Sequence, residues 1–143
     1  MQKTTFLGGR VVKQSLPTVP GPAGPNAPAR KRLLLPQGEL AQLYDGDPGL
    51  RYLAALELRA GEVRGNHYHE VKEEYLYVIQ GEVLLLLQDV DSQLGESVLL
   101  RPGDLAFIPT RIAHALKPAG AGLALEFSAA RFDPADIYRF VLA

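Results

Sequence analysis

The sequence predicts a single all-β domain, a sandwich or barrel of short antiparallel strands. Its length of 143 residues suits one domain. From Leu33 onward, short apolar runs alternate with turns rich in Gly, Pro and Asp, and no run of any length has helical periodicity. Regular short strands of this kind are typical of β-sandwiches and barrels, and they exclude alternating strand and helix units.

Ten strands are predicted between Leu33 and Ser128 from apolar alternation and from the turn residues that separate the runs. In chain order they are Leu33–Leu35, Leu40–Tyr44, Tyr52–Arg59, Gly65–His69, Glu74–Ile79, Glu82–Gln88, Ser97–Leu100, Leu105–Ile108, Ala113–Lys117 and Leu123–Ser128.

Both ends of the chain are predicted to lie outside the barrel, which is expected to span residues 37–130. Residues 1–36 form a basic arm. Its Pro-rich part, residues 14–29, is interpreted as an extended linker, because proline fits neither a helix interior nor a central strand. Residues 131–143 are expected to include a short helix, since Asp133 can cap it and Pro134 suits its first turn.

The composition narrows the function classes. A hydrophobic content of 47% and a charged content of 22% are typical of soluble globular proteins. No run approaches the roughly 18 apolar residues of a membrane span, and the first residues lack the apolar core of a signal peptide, so a cytoplasmic location is expected. The chain has no cysteine, which excludes thiolate catalysis and thiolate metal sites.

Charge is divided unevenly along the chain. Up to Gly38 there are 6 basic residues and no acidic one, whereas the remainder carries 9 basic and 16 acidic residues. This division favours an arm that lies on the acidic body of its own or a neighbouring subunit, and a homodimer is expected. Nucleic-acid binding is disfavoured, because the arm has one aromatic residue and one tight basic cluster, Arg30 to Arg32.

All three histidines of the chain lie in patterns that indicate a site. His67 and His69 are two residues apart on one predicted strand, so both imidazoles point to the same face. Glu74 begins the next strand on its apolar, interior side, where a carboxylate needs a partner. His114 begins a later strand and can supply a third imidazole. These four side chains can together hold one divalent metal ion.

The spacing of these residues resembles that of the cupin family. The first cupin motif is Gly, five residues, His-x-His, three or four residues, Glu, six residues, Gly. Here Gly61, His67, His69, Glu74 and Gly81 meet every spacing.

The second cupin motif is matched in part. Gly103, Pro109 and His114 fit it, but Arg111 stands where Gly is usual and Pro118 where Asn is usual. The resemblance implies a single-domain cupin, a jelly-roll-like barrel of two sheets with a metal inside near the mouth and a dimer as the common assembly.

The first functional expectation is therefore a metal-dependent enzyme acting on a small molecule. His67, His69, Glu74 and His114 would bind Fe, Mn, Ni, Cu or Zn, and an oxygenated substrate would bind the metal directly in a dioxygenase, isomerase or decarboxylase reaction. His67 and Arg111 are the candidate catalytic residues, with Arg111, or Arg64 before the motif, attracting an anionic group of the substrate.

Two alternatives remain open. Residues 64–69 are similar to the Arg-Gly-x-His motif of nucleotide-sugar epimerases and ketoisomerases with a metal-free cupin barrel, and residues 132–139 look like the ketoisomerase ending. In that case His67 would be a general base beside a keto group. The second alternative is a module that binds a sugar or another small effector without turnover.

Overall fold

The computed structural model describes residues 2–143, and in this part of the chain all regular structure is β-strand. No segment of residues 2–143 forms a helix that is long and apolar enough to cross a membrane. The strands, numbered in chain order, are β1 (Gln2–Phe6), β2 (Val11–Ser15), β3 (Thr18–Pro20), β4 (Lys31–Leu35), β5 (Gly38–Gln42), β6 (Tyr52–Leu58), β7 (Arg64–Tyr68), β8 (Glu74–Gln80), β9 (Val83–Asp89), β10 (Gly95–Leu100), β11 (Asp104–Ile108), β12 (Ile112–Pro118), β13 (Gly122–Ser128) and β14 (Tyr138–Arg139).

The strands form two facing sheets and a smaller third one. The six-stranded sheet has the order β1-β2-β11-β8-β13-β6, and the five-stranded sheet has the order β10-β9-β12-β7-β14. All pairs within these two sheets are antiparallel. This is the jelly-roll-like barrel expected from the sequence, and all ten predicted strands are present with ends within two residues of the expected ones.

The barrel interior is filled by the inward positions of both sheets. Alternation along β9 buries Val83, Leu85 and Leu87 and leaves their neighbours partly exposed. On the facing strand β8, Leu76 and Val78 enter the same core. Glu74, which is buried at the start of β8, continues this inward row with a polar side chain.

The outer face of the six-stranded sheet is covered by the third sheet, β3-β4-β5. Tyr77 and Phe127 point outward and pack in a second cluster with Leu16 and Leu105, and Tyr44 after β5 packs against them. Glu74 therefore shares the interior face of β8 with Leu76, because residues in a strand alternate between the two faces.

The expectation of a separate arm over residues 1–36 is wrong for its first part. Residues 2–15 form a hairpin whose second strand, β2, pairs with β11, and Val11 is buried in the core. Arg10 is ion-paired with Asp89 at 2.8 Å and Lys13 with Asp104 at 3.5 Å, both within one chain. Arg10 and Lys13 thus pair with acidic residues of the barrel as part of its own sheet. The pairing partner is some 90 residues away, which local pattern does not reveal.

The helix expected within residues 131–143 is absent. Asp133 does make a turn, since its Oδ1 accepts a hydrogen bond from the Ala135 amide at 2.9 Å. After this turn, Tyr138 and Arg139 form strand β14 and pair with Tyr68 and His67 of β7. The backbone pairing with β7 thus takes the place of helical hydrogen bonds. The Tyr138 and Tyr68 rings also stack, with their centres 5.2 Å apart.

Candidate active site

Four predicted site residues meet at one end of the barrel. His67 comes from β7, His69 follows its end, Glu74 opens β8 and His114 lies in β12. One side-chain nitrogen or oxygen from each residue lies within 4.8 Å of those of the other three. His69, Glu74 and His114 are buried, whereas His67 is partly exposed. A small molecule entering the barrel would reach His67 first.

A bulge in β7 aims His67 at His114. The two residues pair directly across β7 and β12, but the register shifts by one residue before Gly65 pairs with Ala115. The extra residue, Asn66, is left-handed with φ of 58°. A Cβ on Gly65 would lie 2.7 Å from the His114 carbonyl oxygen, so only glycine allows this approach.

Glu74 is the centre of the buried network. Its Oε1 accepts hydrogen bonds from His69 Nε2 at 3.0 Å and from Lys72 Nζ at 3.1 Å, and its Oε2 lies 3.2 Å from His114 Nε2. Burial opposes ionisation, but the charge and hydrogen bonds of His114, with His69 and Lys72, hold the pKa of Glu74 well below its usual range. The carboxylate is therefore ionised at neutral pH.

His114 is the cationic partner of Glu74. Burial lowers the pKa of its imidazole, but the charge of Glu74 and hydrogen bonds to Glu74 and to the Ile112 carbonyl outweigh burial and raise the pKa. Both ring nitrogens of His114 face oxygen acceptors, which suits an imidazolium that donates from each nitrogen.

His67 differs from His114 in its charge. Burial, followed by the positive charges of His114 and His69, lowers the pKa of His67 to about 4. At neutral pH its imidazole is uncharged and carries a nitrogen lone pair. An accessible, neutral imidazole beside buried cations is chemically a proton acceptor.

Lys72 is a site residue that the sequence analysis missed. Its side chain is 6% exposed, and Nζ lies 3.1 Å from Glu74 and 3.0 Å from Glu126. Nζ also lies 4.1 Å from the centre of the Tyr52 ring. Burial lowers the pKa of the ammonium, but the two carboxylates outweigh it and the pKa is raised. In the sequence, Lys72 stands in a run of charged residues that resembles a solvated turn, so no local signal marks it.

Arg111 and Arg64 do not join this cluster. The Arg111 guanidinium is ion-paired with Asp91 and Glu70 and lies over the Tyr68 ring, on the outer side of β7. Its backbone takes the left-handed φ of 59° at a position where glycine is usual in the motif. Arg64 donates to the Glu57 carbonyl in an exposed contact. A role for either arginine in binding a substrate stays a prediction.

A concave surface of about 430 Å³ lies on the other side of β8, lined by Tyr44, Tyr75, Leu50 and Val71 among others. None of the three histidines lines it. The histidine cluster is the candidate site, because it brings ionised and neutral groups together, whereas the outer concavity is lined mainly by aromatic and aliphatic side chains.

Residues 55–129 match the family model of the cupin domain. The chain belongs to the cupin family. No curated protein gives a significant sequence match to this cupin.

Several solved structures are similar to this cupin in fold. The dTDP-4-dehydrorhamnose 3,5-epimerase from Sulfolobus tokodaii is similar with a TM-score of 0.72 and 17% identity, over 95% of this cupin and 79% of that chain. The rmlC epimerase of Mycobacterium tuberculosis has a TM-score of 0.75 and 14% identity, over 97% and 72%. The WlaRB TDP-quinovose 3,4-ketoisomerase of Campylobacter jejuni has a TM-score of 0.69 and 19% identity, over 78% and 88%. Identities this low show a shared fold.

The expectation of a metal-dependent enzyme with bound Fe, Mn, Ni, Cu or Zn is wrong. The three structures named above are epimerases and a ketoisomerase. These are the enzymes on which the metal-free alternative of the sequence analysis was based. The physical reason lies in Lys72. The only carboxylate among the four expected ligands already holds a buried ammonium at 3.1 Å, and a dication at this carboxylate would be repelled by that charge. The four side chains lie close together, but Glu74 binds His69, Lys72 and His114 and is not free to bind a metal ion.

Proposed function

We propose that this cupin is a metal-independent isomerase of nucleotide-linked keto sugars, an epimerase or ketoisomerase in which His67 is the general base. The observation that carries the proposal is the contrast among the histidines. His67 is partly exposed with a pKa of about 4, whereas His114 is buried and cationic beside Glu74. The similarity in fold to epimerases and ketoisomerases supports the same reaction class.

The proposed reaction begins with proton transfer from carbon to nitrogen. A ring nitrogen of His67 takes the proton from the carbon next to the keto group, and the electrons of that C–H bond form an enolate. In an epimerase the proton returns to the opposite face of the same carbon. In a ketoisomerase the carbon that lost the proton carries a hydroxyl group: the hydroxyl proton passes to the enolate oxygen, the carbon-bound proton returns to the former carbonyl carbon, and the keto group thereby moves by one position. Neither outcome changes the oxidation state of the sugar as a whole, and neither requires an oxidant or reductant.

The surrounding cations explain how such a site would lower the barrier. Negative charge develops on the keto oxygen as the proton leaves, and fixed N–H donors in a water-poor pocket stabilise it more than water would. Both N–H groups of His114 already face Ile112 and Glu74, so His114, whose ring centre is 4.9 Å from that of His67, would stabilise the oxygen through its positive charge, as would the Lys72 ammonium. Glu74 holds both in place and offsets their charge while the site is empty.

The test is conversion of a dTDP-linked 4-keto-6-deoxyhexose, followed by proton NMR after treatment of the protein with a chelator. We expect new sugar signals with the wild-type protein and at least a 100-fold slower reaction with His67→Asn, since a positioned base contributes about 100- to 10,000-fold. Tyr68→Phe is the matched control, because Tyr68 is the next residue on β7 and faces outward against Tyr138. Tight binding of the sugar nucleotide with no conversion would instead support the binding module.

A further inference from the structure

Asp136, in the segment after the last barrel strand, gathers hydrogen bonds from one loop. Its Oδ1 accepts from the amides of Glu70 at 2.7 Å and Val71 at 3.2 Å, and its Oδ2 accepts from Val71 at 3.2 Å and Lys72 at 3.0 Å. Its backbone carbonyl accepts from His69 Nδ1 at 2.6 Å. Asp136 is 8% exposed, so it meets these partners with little competition from water.

The loop that Asp136 holds carries two of the groups that contact Glu74. His69 donates to Glu74 Oε1 at 3.0 Å, and Lys72 reaches the same oxygen at 3.1 Å. The loop joins β7 to β8 and has no strand pairing of its own between Tyr68 and Glu74. Four N–H donors of this loop point at Asp136: His69 Nδ1 and the amides of Glu70, Val71 and Lys72.

We propose that Asp136 is a positioning residue of the active site, which holds the loop of residues 69–72 so that His69 and Lys72 meet Glu74 inside the barrel. The kinetic part of this inference rests on the proposed isomerase function, whereas its structural part stands without it.

Two physical consequences follow for the site. The Asp136 carbonyl fixes a ring proton on His69 Nδ1, which turns Nε2 towards Glu74. The three amide bonds to the carboxylate fix the backbone of Lys72, and this aims a long, flexible side chain inward under the Tyr52 ring. Without that backbone constraint, a lysine in a surface loop extends its ammonium to water.

The charge of Asp136 agrees with this role. Burial raises its pKa, but hydrogen bonds from the amides of Glu70, Lys72 and Val71 outweigh burial and lower the pKa below its usual range. A carboxylate bound by amide N–H groups is held more firmly than a neutral acceptor, because charge-assisted hydrogen bonds are roughly twice as strong. Asn at this position would keep one acceptor oxygen and present an NH₂ group to an amide donor.

The experiment compares Asp136→Ala and Asp136→Asn with Asp133→Ala, in the full-length protein. Asp133 is the matched control, because it is an exposed aspartate of the same segment whose carboxylate contacts only Ala135. We expect kcat of Asp136→Ala on the dTDP-linked keto sugar to fall by about 10- to 100-fold with KM changed by less than about 3-fold, since small misplacements of catalytic groups cost up to about 100-fold. Asp136→Asn should fall between Asp136→Ala and wild type, and Asp133→Ala should stay within about 2-fold of wild type.

A second readout does not depend on turnover. In ¹H–¹⁵N spectra of the imidazoles, the His69 Nδ1 proton should exchange slowly with water in the wild type and at least about 10-fold faster in Asp136→Ala, because the segment that covers it is released. If Asp136→Ala does not fold, the same comparison is made with Asp136→Asn.

Two results would overturn the inference. One is a folded Asp136 variant with wild-type kcat and a slowly exchanging His69 proton. The other is a fall in kcat that only tracks the folded fraction, with the exchange rate of that proton unchanged. A wild-type protein without turnover would count against the proposed function alone, and the proton exchange would still decide the role of Asp136.

Discussion

Replacement of Glu74 by Gln tests the buried network from which the site is built. The carboxylate contacts His114 at 3.2 Å and Lys72 at 3.1 Å, and all three side chains are about 3–6% exposed. Removal of one partner from a buried ion pair costs about 3–5 kcal/mol. Two features reduce this cost, because His114 can lose its proton and Lys72 keeps Glu126 at 3.0 Å. We therefore expect a loss of about 3 kcal/mol in the free energy of unfolding.

This loss is measured by urea unfolding at pH 7, with the far-UV circular dichroism signal and the fluorescence of the 6 tyrosines. For a domain of this size, about 3 kcal/mol corresponds to a fall of roughly 10 °C in Tm. Glu57→Gln is the control, because the Glu57–Arg59 pair is mostly exposed and should contribute less than about 1 kcal/mol.

The double variant Glu74→Gln, Lys72→Met should be more stable than the sum of the two single changes predicts, because the unpaired ammonium leaves together with its partner. A Glu74→Gln protein within about 0.5 kcal/mol of wild type at an unchanged m-value, or strict additivity of the two changes, would show that the buried network does not stabilise the fold in this way.

The pH dependence of this loss has a definite sign. The folded pKa of Glu74 lies below the unfolded value of 4.5, so its stabilisation is present above pH 4.5 and is lost as the pH falls through the folded pKa. The folded pKa of His114 lies above the unfolded value of 6.5, so its stabilisation is complete below pH 6.5 and is lost as the pH rises through the folded pKa. The difference between wild type and Glu74→Gln should therefore be largest between about pH 4.5 and 6.5.

Three further predictions follow from the same geometry. Because the free-enzyme pKa of His67 is about 4, kcat/KM of the proposed reaction should stay level from pH 7 to 5.5 and fall as the pH approaches 4; a fall centred near pH 6.5 would contradict this. Gly65→Ala should unfold at least roughly 2 kcal/mol more easily than wild type in urea, whereas Gly120→Ala, which meets no atom within 4 Å, should change little. We also predict a homodimer, because the edge strand β6 leaves Leu53 67% exposed and an exposed edge can pair with a second copy. Light scattering should then give about twice the monomer mass of 15.6 kDa, and a sharp monomer would exclude the dimer.

The sequence predicted the barrel strands because their signal is local. In β9, alternation of buried and partly exposed positions is complete, and the turn before it carries Gly81. The strands that sequence reasoning missed have remote partners. β2 pairs with β11 and β14 pairs with β7, and neither short segment has an alternation that distinguishes it from a loop. The tail was expected to be helical because Asp133 can cap a helix and Pro134 suits its first turn. Asp133 does form a turn, but Asp136 then binds the loop of residues 69–72 and Tyr138 pairs with β7.

The site was predictable as far as the fixed spacing of the motif reaches. His67, His69 and Glu74 lie within eight residues of one motif, and alternation along a strand is enough to predict that His67 and His69 share a face. Lys72 and Asp136 could not be identified in this way. Their roles depend on contacts with residues 54 and 64 to 67 positions away in the chain. The metal expectation failed for the same reason, because the histidine and glutamate ligands were visible in the sequence and the ammonium that occupies the carboxylate was not.

The most direct test of the proposed function is hydrogen exchange at the carbon next to the keto group. The chelator-treated protein is incubated in D₂O with a dTDP-linked 4-keto-6-deoxyhexose, and loss of the proton signal at that carbon is followed by NMR. We expect deuterium incorporation by the wild type, at the same rate before and after chelation, and an exchange rate at least about 100-fold lower in His67→Asn. Exchange that disappears on chelation, or that His67→Asn leaves intact, would contradict the proposed function.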